Sequence, residues 1–151
     1  MISKYAYFSL AMSRIYHDIQ RIERTEMEAV GLKGPHAQTL LAMRRYPEGI
    51  TAVQLCELCD KDKAAISRSV AELEEKGMVR RGQNNGTNYR APLVLTPQGE
   101  AAARAVEEKA ILAVEQAGDG LEEGERQVFY RVLALISENL HTICRDGLKE
   151  N

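Results

Sequence analysis

The sequence lacks tryptophan and holds only two phenylalanines among its 151 residues. Its core must therefore be mainly aliphatic, which suits packed helices. No stretch approaches the roughly 18 consecutive apolar residues that cross a membrane as a helix. The apolar start of the chain is interrupted by Ser9, Ser13 and Arg14, so we expect neither a signal peptide nor a membrane partner.

Cysteine is also scarce. Three cysteines, an odd number, in a chain with no expected export signal indicate free thiols and a cytoplasmic protein. Cys56 and Cys59 have the i, i+3 spacing of some redox and metal sites, so a thiol-redox or metal sensor is the alternative function. A metal site would need about two further ligands. The scattered histidines do not supply them, so we predict no metal, no cofactor and three surface or interface histidines (His17, His36 and His141).

Positive charge is concentrated in the middle of the chain, although the formal net charge is only −2. Residues 61–97 carry seven basic and four acidic side chains, whereas residues 98–151 carry six basic and eleven acidic ones. A local excess of this kind predicts contact with a polyanion through the middle segment.

The stretch DKAAISRSVAELEEKG, residues 62–77, predicts a helix whose two ends differ. Ile66, Val70 and Leu73 fall on one side and predict a buried stripe. The other side of the first two turns offers small residues, a hydroxyl and one arginine, and the acids begin only at Glu72. This composition suits a helix that enters the major groove of DNA, because small residues allow close approach and phosphates would repel an acid.

The segments around this helix predict a winged helix-turn-helix. Thr51 and Asp62 are placed to cap two successive helices, and Gly77 to end the second. Residues 78–96 predict a strand, a Gly/Asn-rich turn and a second strand, and Thr96-Pro97 then opens another helix. Long helices are predicted at both ends of the chain. The fold class is therefore mainly α with a small β-hairpin wing, flanked by N- and C-terminal helices.

The segment TAVQLCELCDKDKAAISRSVAELEEKGMVRR (51–81), with LVLTPQGE (93–100), resembles the winged helix-turn-helix of the MarR family of bacterial transcriptional regulators. The resemblance implies a repressor that binds double-stranded DNA at a pseudo-palindromic operator as a homodimer. It assigns residues 1–34 to an N-terminal dimerisation helix, 35–97 to the DNA-binding domain and 98–151 to C-terminal dimerisation helices.

Two sets of residues follow from this resemblance and from the patterns above. The predicted DNA-binding residues lie on the recognition helix, just before it and in the wing: Lys61, Lys63, Ala64, Ala65, Ser67, Arg68, Arg81, Asn88 and Arg90. The family's wing commonly holds Asp-x-Arg, and Asn88 here cannot pair with the charge of Arg90. Apolar stripes on the end helices predict the dimer seam, unless they pack within their own domain: Phe8, Met12, Ile15, Ile19, Val128, Val132, Ile136 and Leu140.

The family often binds small aromatic or phenolic effectors between its dimer helices and its DNA-binding lobe. Residues that could line such a cleft, or else belong to the core, are Met12, Tyr16, Met43 and Tyr46. No phosphate-binding glycine loop, nucleophile elbow or paired-carboxylate pattern occurs, so we do not expect an enzyme. A winged-helix module that binds protein and not DNA is a third alternative.

Overall fold

A computed structural model describes residues 3–82 and 90–150, and within these ranges the chain forms six helices and two strands. The helices are α1 (Lys4–Ala29), α2 (Gly34–Arg44), α3 (Ala52–Cys59), α4 (Lys63–Glu75), α5 (Pro97–Ala117) and α6 (Glu123–Asp146). The strands are β1 (Val79–Arg81) and β2 (Leu93–Leu95), paired antiparallel. The predicted fold class is confirmed. Asn88 and the tip of the predicted wing lie outside the described residues.

Helix α4 has the two ends that its sequence predicts. The Asp62 carboxylate accepts the backbone N–H of Ala65 at 2.8 Å and so caps the first turn. At the other end Gly77 takes a φ of +73°, a left-handed conformation that suits glycine. The N–H of Met78 then donates to the carbonyl of Leu73 at 2.9 Å, which closes the last turn.

The short helix α3 is tied to α4 by a tight turn. Thr51 caps α3, and its hydroxyl accepts the N–H of Gln54, as the sequence predicts. Asp60 ends α3 in a left-handed conformation, with φ of 49°. The N–H of Lys61 donates to the Cys56 carbonyl at 3.1 Å, so the turn leads directly to the cap of α4.

Within the described residues, the two strands are shorter than the 78–96 pattern predicts. Val79 pairs with Leu95 and Arg81 with Leu93, which gives three paired positions. Leu93 also exchanges two backbone hydrogen bonds with Ile50, at 2.8 and 3.0 Å, so the segment before α3 adds a bridge to the sheet. Pro92 has no N–H to donate and directly precedes the described part of β2.

Two compact units make up the chain, residues 1–110 and residues 111–151. The first unit contains the core, which is aliphatic as the composition predicts: Met27, Leu32, Ala37, Leu40, Met43, Ile50, Leu55, Ile66, Val70, Leu73, Val79, Leu93, Ala103 and Val106. In the second unit Arg126 donates to the carbonyl of Gly118 at 2.7 Å, ahead of the long helix α6, which has no buried residue.

The junction between α4 and α5 is unusually close. The Thr96 hydroxyl donates to the Gly77 carbonyl at 2.6 Å and accepts the N–H of Gly99 at 3.1 Å, so it caps α5 while binding the end of α4. A Cβ at position 99 would overlap the carbonyl oxygen of Met78. The absence of a side chain at Gly99 therefore allows α5 to begin against the turn that follows α4.

Candidate nucleic-acid interface

Helix α4 has one side in the core and the other in solvent. Ile66, Val70 and Leu73 are each at most 2% exposed and form the predicted buried stripe. The opposite side is exposed from its first residue and carries Lys63, Ala64, Ser67, Arg68 and Ala71. Ala65, also predicted to meet DNA, is half-buried. The exposed face therefore combines small side chains with cationic ones, which suits close approach to an anionic groove.

The other predicted DNA contacts have different surroundings. Lys61 is exposed in the turn before α4, and Arg90 is exposed just beyond the undescribed segment. Arg81 is ion-paired with Glu74, its Nε lying 3.0 Å from Oε1 of that carboxylate. Arg68 has no hydrogen bond or ion pair with any residue that the structure describes. Arg68 is thus exposed on the solvent side of α4 and has no partner among the described residues.

The prediction of a surface or interface histidine is wrong for His36. This ring is 1% exposed, near the start of α2. Its Nδ1 accepts the backbone N–H of Lys33 at 3.0 Å, and its Nε2 lies 2.8 Å from Oε2 of Glu72 on α4. Its partner Glu72 is 36 residues away in sequence, so the spacing of the histidines does not indicate the contact. One local feature could have indicated its contact with Lys33: His36 is the third residue of α2, a position whose side chain often caps the helix.

Lys33 also contacts α4, because its Nζ lies 2.7 Å from Oε1 of Glu72. The ammonium holds the pKa of the Glu72 carboxyl below its usual value, and the hydrogen bond from His36 acts in the same direction. Burial lowers the pKa of His36, and the bond to Glu72 opposes that shift only in part. The arrangement thus favours a neutral imidazole and an ionised carboxylate.

A cavity of about 570 Å³ lies between α1, α2, the α3–α4 turn and α4. Of the residues predicted to line an effector cleft, Tyr16 lies on its wall. Met43 is in the core, Met12 is half-buried and Tyr46 is exposed, and none of these three lines this cavity. The sequence patterns did not indicate its polar lining, which comes from four separate segments: Gln20, Glu23, Arg24, Gln38, Thr39, Asp60, Lys61 and Ser69.

Two polar groups of the cavity wall are notable. Burial raises the pKa of the Glu23 carboxyl, while the hydrogen bond from Gln38 and the charge of Lys61 act in the opposite direction. Ser69, on the α4 side, is 7% exposed and its hydroxyl has no hydrogen bond to a described residue. Because no fully buried polar side-chain atom among the described residues lacks a partner, this hydroxyl remains accessible from the cavity.

The cysteine pair shows no sign of an activated thiol. Cys56 and Cys59 are free and half-buried. Burial raises the pKa of Cys59, and its thiol donates to the Gln38 carbonyl at 3.7 Å. A raised pKa disfavours the thiolate that redox chemistry and metal binding require. Nor do the described residues contain a group of three or more His, Cys, Asp or Glu side chains that could hold a metal ion.

The predicted dimerisation residues lie on two helices with apolar side chains in solvent. On α1 these are Phe8, Ile15 and Ile19, with Met12 half-buried; on α6 they are Val128, Val132 and Leu140, with Ile136 half-buried. Large exposed apolar patches are uncommon on monomeric proteins and mark interaction surfaces. No helix of the described residues is long and apolar enough to cross a membrane.

Residues 30–87 match the model of the MarR family. This region is similar to the MarR family. The match begins directly after α1 and spans α2, α3, α4 and β1. It confirms the resemblance predicted from the recognition helix and its neighbours. No curated protein has a significant sequence match to the chain.

Solved structures extend the likeness beyond this region to the whole fold. A MarR protein from Peptoclostridium difficile is 19% identical with a TM-score of 0.84, the match covering 94% of each chain. A putative MarR family transcriptional regulator from Listeria monocytogenes, solved with a 26mer DNA, is 20% identical with a TM-score of 0.79 (93% of this chain, 95% of that chain).

A third solved structure is that of BpsR from Bordetella bronchiseptica, described as regulated in DNA binding by 6-hydroxynicotinic acid. It is 18% identical with a TM-score of 0.76, and the match covers 87% of this chain and 98% of that chain. The TM-scores show a shared fold, and the identities are too low to show more.

Proposed function

We propose that this protein is a DNA-binding transcriptional regulator that represses genes by binding a pseudo-palindromic operator as a homodimer. The observation that carries the proposal is the exposed side of α4, where Ala64, Ser67 and Arg68 lie opposite a fully buried stripe. Small residues permit the backbone to approach base edges, and a guanidinium can donate two hydrogen bonds to guanine.

The electrostatics of α4 support the same function. Its first two turns carry no acid, and the first carboxylate of the helix, Glu72, is bound to Lys33 and His36. Glu74, the next acid, is paired with Arg81. Phosphates therefore meet the cationic end of α4 without an unpaired carboxylate on its early turns.

The homodimer is supported by the exposed apolar side chains of α1 and α6. Helix α6 contributes no residue to a core, although Val128, Val132 and Leu140 recur along it. A helix with such a stripe gains stability by packing on another helix. A two-fold dimer would present two copies of α4, which is what a pseudo-palindromic operator requires.

An effector site is part of the proposal. The cavity bounded by α1, α2 and α4 has a volume within the range of small-molecule sites, and Tyr16 and Ser69 lie on its wall. A small aromatic or phenolic molecule bound there would contact the rear of the recognition helix and could alter its position. Met12, Met43 and Tyr46 stay predictions for a wider cleft.

The proposed function is tested by measuring DNA affinity at several salt concentrations for wild type and Arg68→Ala. The duplex is an operator selected from fragments of the source genome, with a random duplex of equal length beside it. We expect Arg68→Ala to lose roughly 1–3 kcal/mol of operator binding, with a smaller loss on random DNA, because a base contact carries sequence information.

Glu75→Gln is the matched control, because Glu75 is exposed on α4 but lies in its last turn. It should leave operator preference unchanged. Wild-type protein that binds neither duplex in a salt-dependent way would refute the DNA-binding function. Equal operator affinity for Arg68→Ala and wild type would remove Arg68 from the interface.

A further inference from the structure

Lys33, His36 and Glu72 form a closed ring of contacts between the segment before α2 and the recognition helix. The Lys33 backbone N–H donates to Nδ1 of His36 at 3.0 Å, and Nε2 of His36 lies 2.8 Å from Glu72. The Lys33 ammonium closes the ring on the other carboxylate oxygen at 2.7 Å. Both carboxylate oxygens of Glu72 are therefore held from outside its own helix.

These contacts also determine which nitrogen of the His36 imidazole carries the hydrogen. A nitrogen that accepts an N–H cannot carry a proton, so neutral His36 must bear its hydrogen on Nε2. That hydrogen points to Glu72, and the bond is charge-assisted because the carboxylate is ionised. His36 is 1% exposed, so water does not compete for either nitrogen. Glu72 is thus bound by one rigid buried donor and one flexible exposed ammonium.

Glu72 lies four residues after Arg68 on α4. Side chains at i and i+4 of a helix are neighbours, about 40° apart around its axis, and opposite charges at this spacing attract. Yet Arg68 has no ion pair with any described residue, whereas Glu72 has two partners elsewhere. Glu72, which could otherwise pair with the Arg68 guanidinium, is therefore bound by Lys33 and His36.

We propose that Lys33 and His36 are positioning residues for DNA binding: they hold the Glu72 carboxylate away from Arg68 and so keep that guanidinium available to DNA. This inference rests on the proposed function. A released Glu72 would oppose DNA in two ways, by pairing with Arg68 and by placing an uncompensated negative charge beside the groove-facing turn.

A released Glu72 carboxylate could also pair with Lys76. Lys76 lies four residues after Glu72, so a released carboxylate would divide its time between Lys76 and Arg68. The effect of release is consequently modest, as expected for exposed ion pairs in water. It must also vanish when the carboxylate itself is removed, which a general loss of stability would not do.

The test compares operator affinities of wild type, Lys33→Met, Glu72→Gln and the double variant Lys33→Met/Glu72→Gln. Methionine keeps the unbranched stem of Lys33 and removes its charge. We expect Lys33→Met to weaken operator binding about two- to fivefold, the range of an exposed ion pair. Glu72→Gln should bind at least as well as wild type, and the double variant should match Glu72→Gln.

Lys109→Met is the matched control. The Nζ of Lys109 lies 3.6 Å from Glu26. The substitution therefore also removes one lysine and one exposed lysine–glutamate pair, but away from α4. It should change operator affinity less than twofold. His36→Gln supplies a second route to release, and its loss of affinity should likewise disappear in the Glu72→Gln background.

Arg68→Ala completes the cycle. In that background Lys33→Met should cost clearly less than in wild type, because the guanidinium that Glu72 would occupy is gone. A Lys33→Met loss that persists unchanged with Glu72→Gln overturns the inference and indicates that Lys33 contacts DNA itself. Equal affinities of Lys33→Met and wild type overturn it as well. Wild-type protein that binds no DNA overturns the proposed function, a result separate from any of these.

Discussion

Helices α4 and α6 are both amphipathic, but they use their apolar sides differently. In α4 the apolar stripe is covered within residues 1–110, and Leu73 has no exposed surface. In α6 the stripe stays in solvent, with Val128 54% exposed and no residue buried. The comparison shows that the same helical periodicity can either fix a polar face for a ligand or leave an apolar face for a partner.

The largest expected effect comes from placing a charge on the uncovered stripe. Val132→Glu should raise the dimer dissociation constant by at least about 100-fold, because a carboxylate buried without a partner costs several kcal/mol. Analytical ultracentrifugation across a concentration series measures the shift. Ile15→Glu tests α1 in the same way.

Ser137→Glu is the control for that prediction, since Ser137 is exposed and lies about 140° around α6 from Val132. It should remain dimeric. If Val132→Glu sedimented as a dimer with wild-type affinity, Val132 would lie outside the interface. The exposed apolar stripe of α6 would then need an explanation other than dimerisation.

The covered stripe of α4 should respond in stability and not in assembly. Leu73→Ala is expected to lower the free energy of unfolding by roughly 2–5 kcal/mol, because a fully buried side chain leaves a cavity. Urea unfolding followed by circular dichroism measures it. Glu75→Ala, on the exposed side of the same turn, should change stability by less than about 0.5 kcal/mol. Comparable losses for the two would contradict the assigned faces.

The smallest expected effect concerns pH and the buried side of the α2–α4 contact. Burial puts the pKa of His36 below its ordinary 6.5, so the unfolded chain binds this proton more readily than the folded one. The contribution of neutral His36 to the free energy of unfolding is therefore fully present above about pH 6.5. It is lost as the pH falls from there through the lowered pKa of the folded state. The facing charges are Lys33, Glu72 and Lys76.

His36→Gln should lack this component of the pH dependence, which we expect to be under about 1 kcal/mol. Unfolding free energies of both proteins at about pH 7.5 and about pH 5.5 give the difference. The lowered pKa of Glu72 acts only below its ordinary 4.5 and lies outside this window. A wild-type slope equal to that of His36→Gln would refute a neutral buried His36.

Local signals predicted most of the fold. Asp62, Gly77 and Thr96 each cap or end a helix through contacts within a few residues, and all three take their predicted roles. The periodicity of α4 predicted its buried stripe because apolar spacing alone decides which side of a helix meets a core.

Contacts between residues distant in sequence could not be predicted from local patterns. The buried His36 contacts Glu72, 36 residues away, and the cavity is lined by four segments that only the folded chain brings together. Asn88, for which the resemblance implied a wing contact, lies outside the described residues. The DNA and dimer contacts stay predictions because they need a second molecule.

The contact at Gly99 restricts which sequences this fold can explore. Every replacement adds at least a Cβ, and at this position a Cβ would overlap the Met78 carbonyl oxygen. A mutation here must therefore either move the start of α5 or distort the turn that ends the recognition helix. Gly124, whose Cβ would meet nothing within 4 Å, carries no such restriction. The genetic tolerance of a site outside the proposed DNA contacts is thus set by the clearance around one missing methyl group.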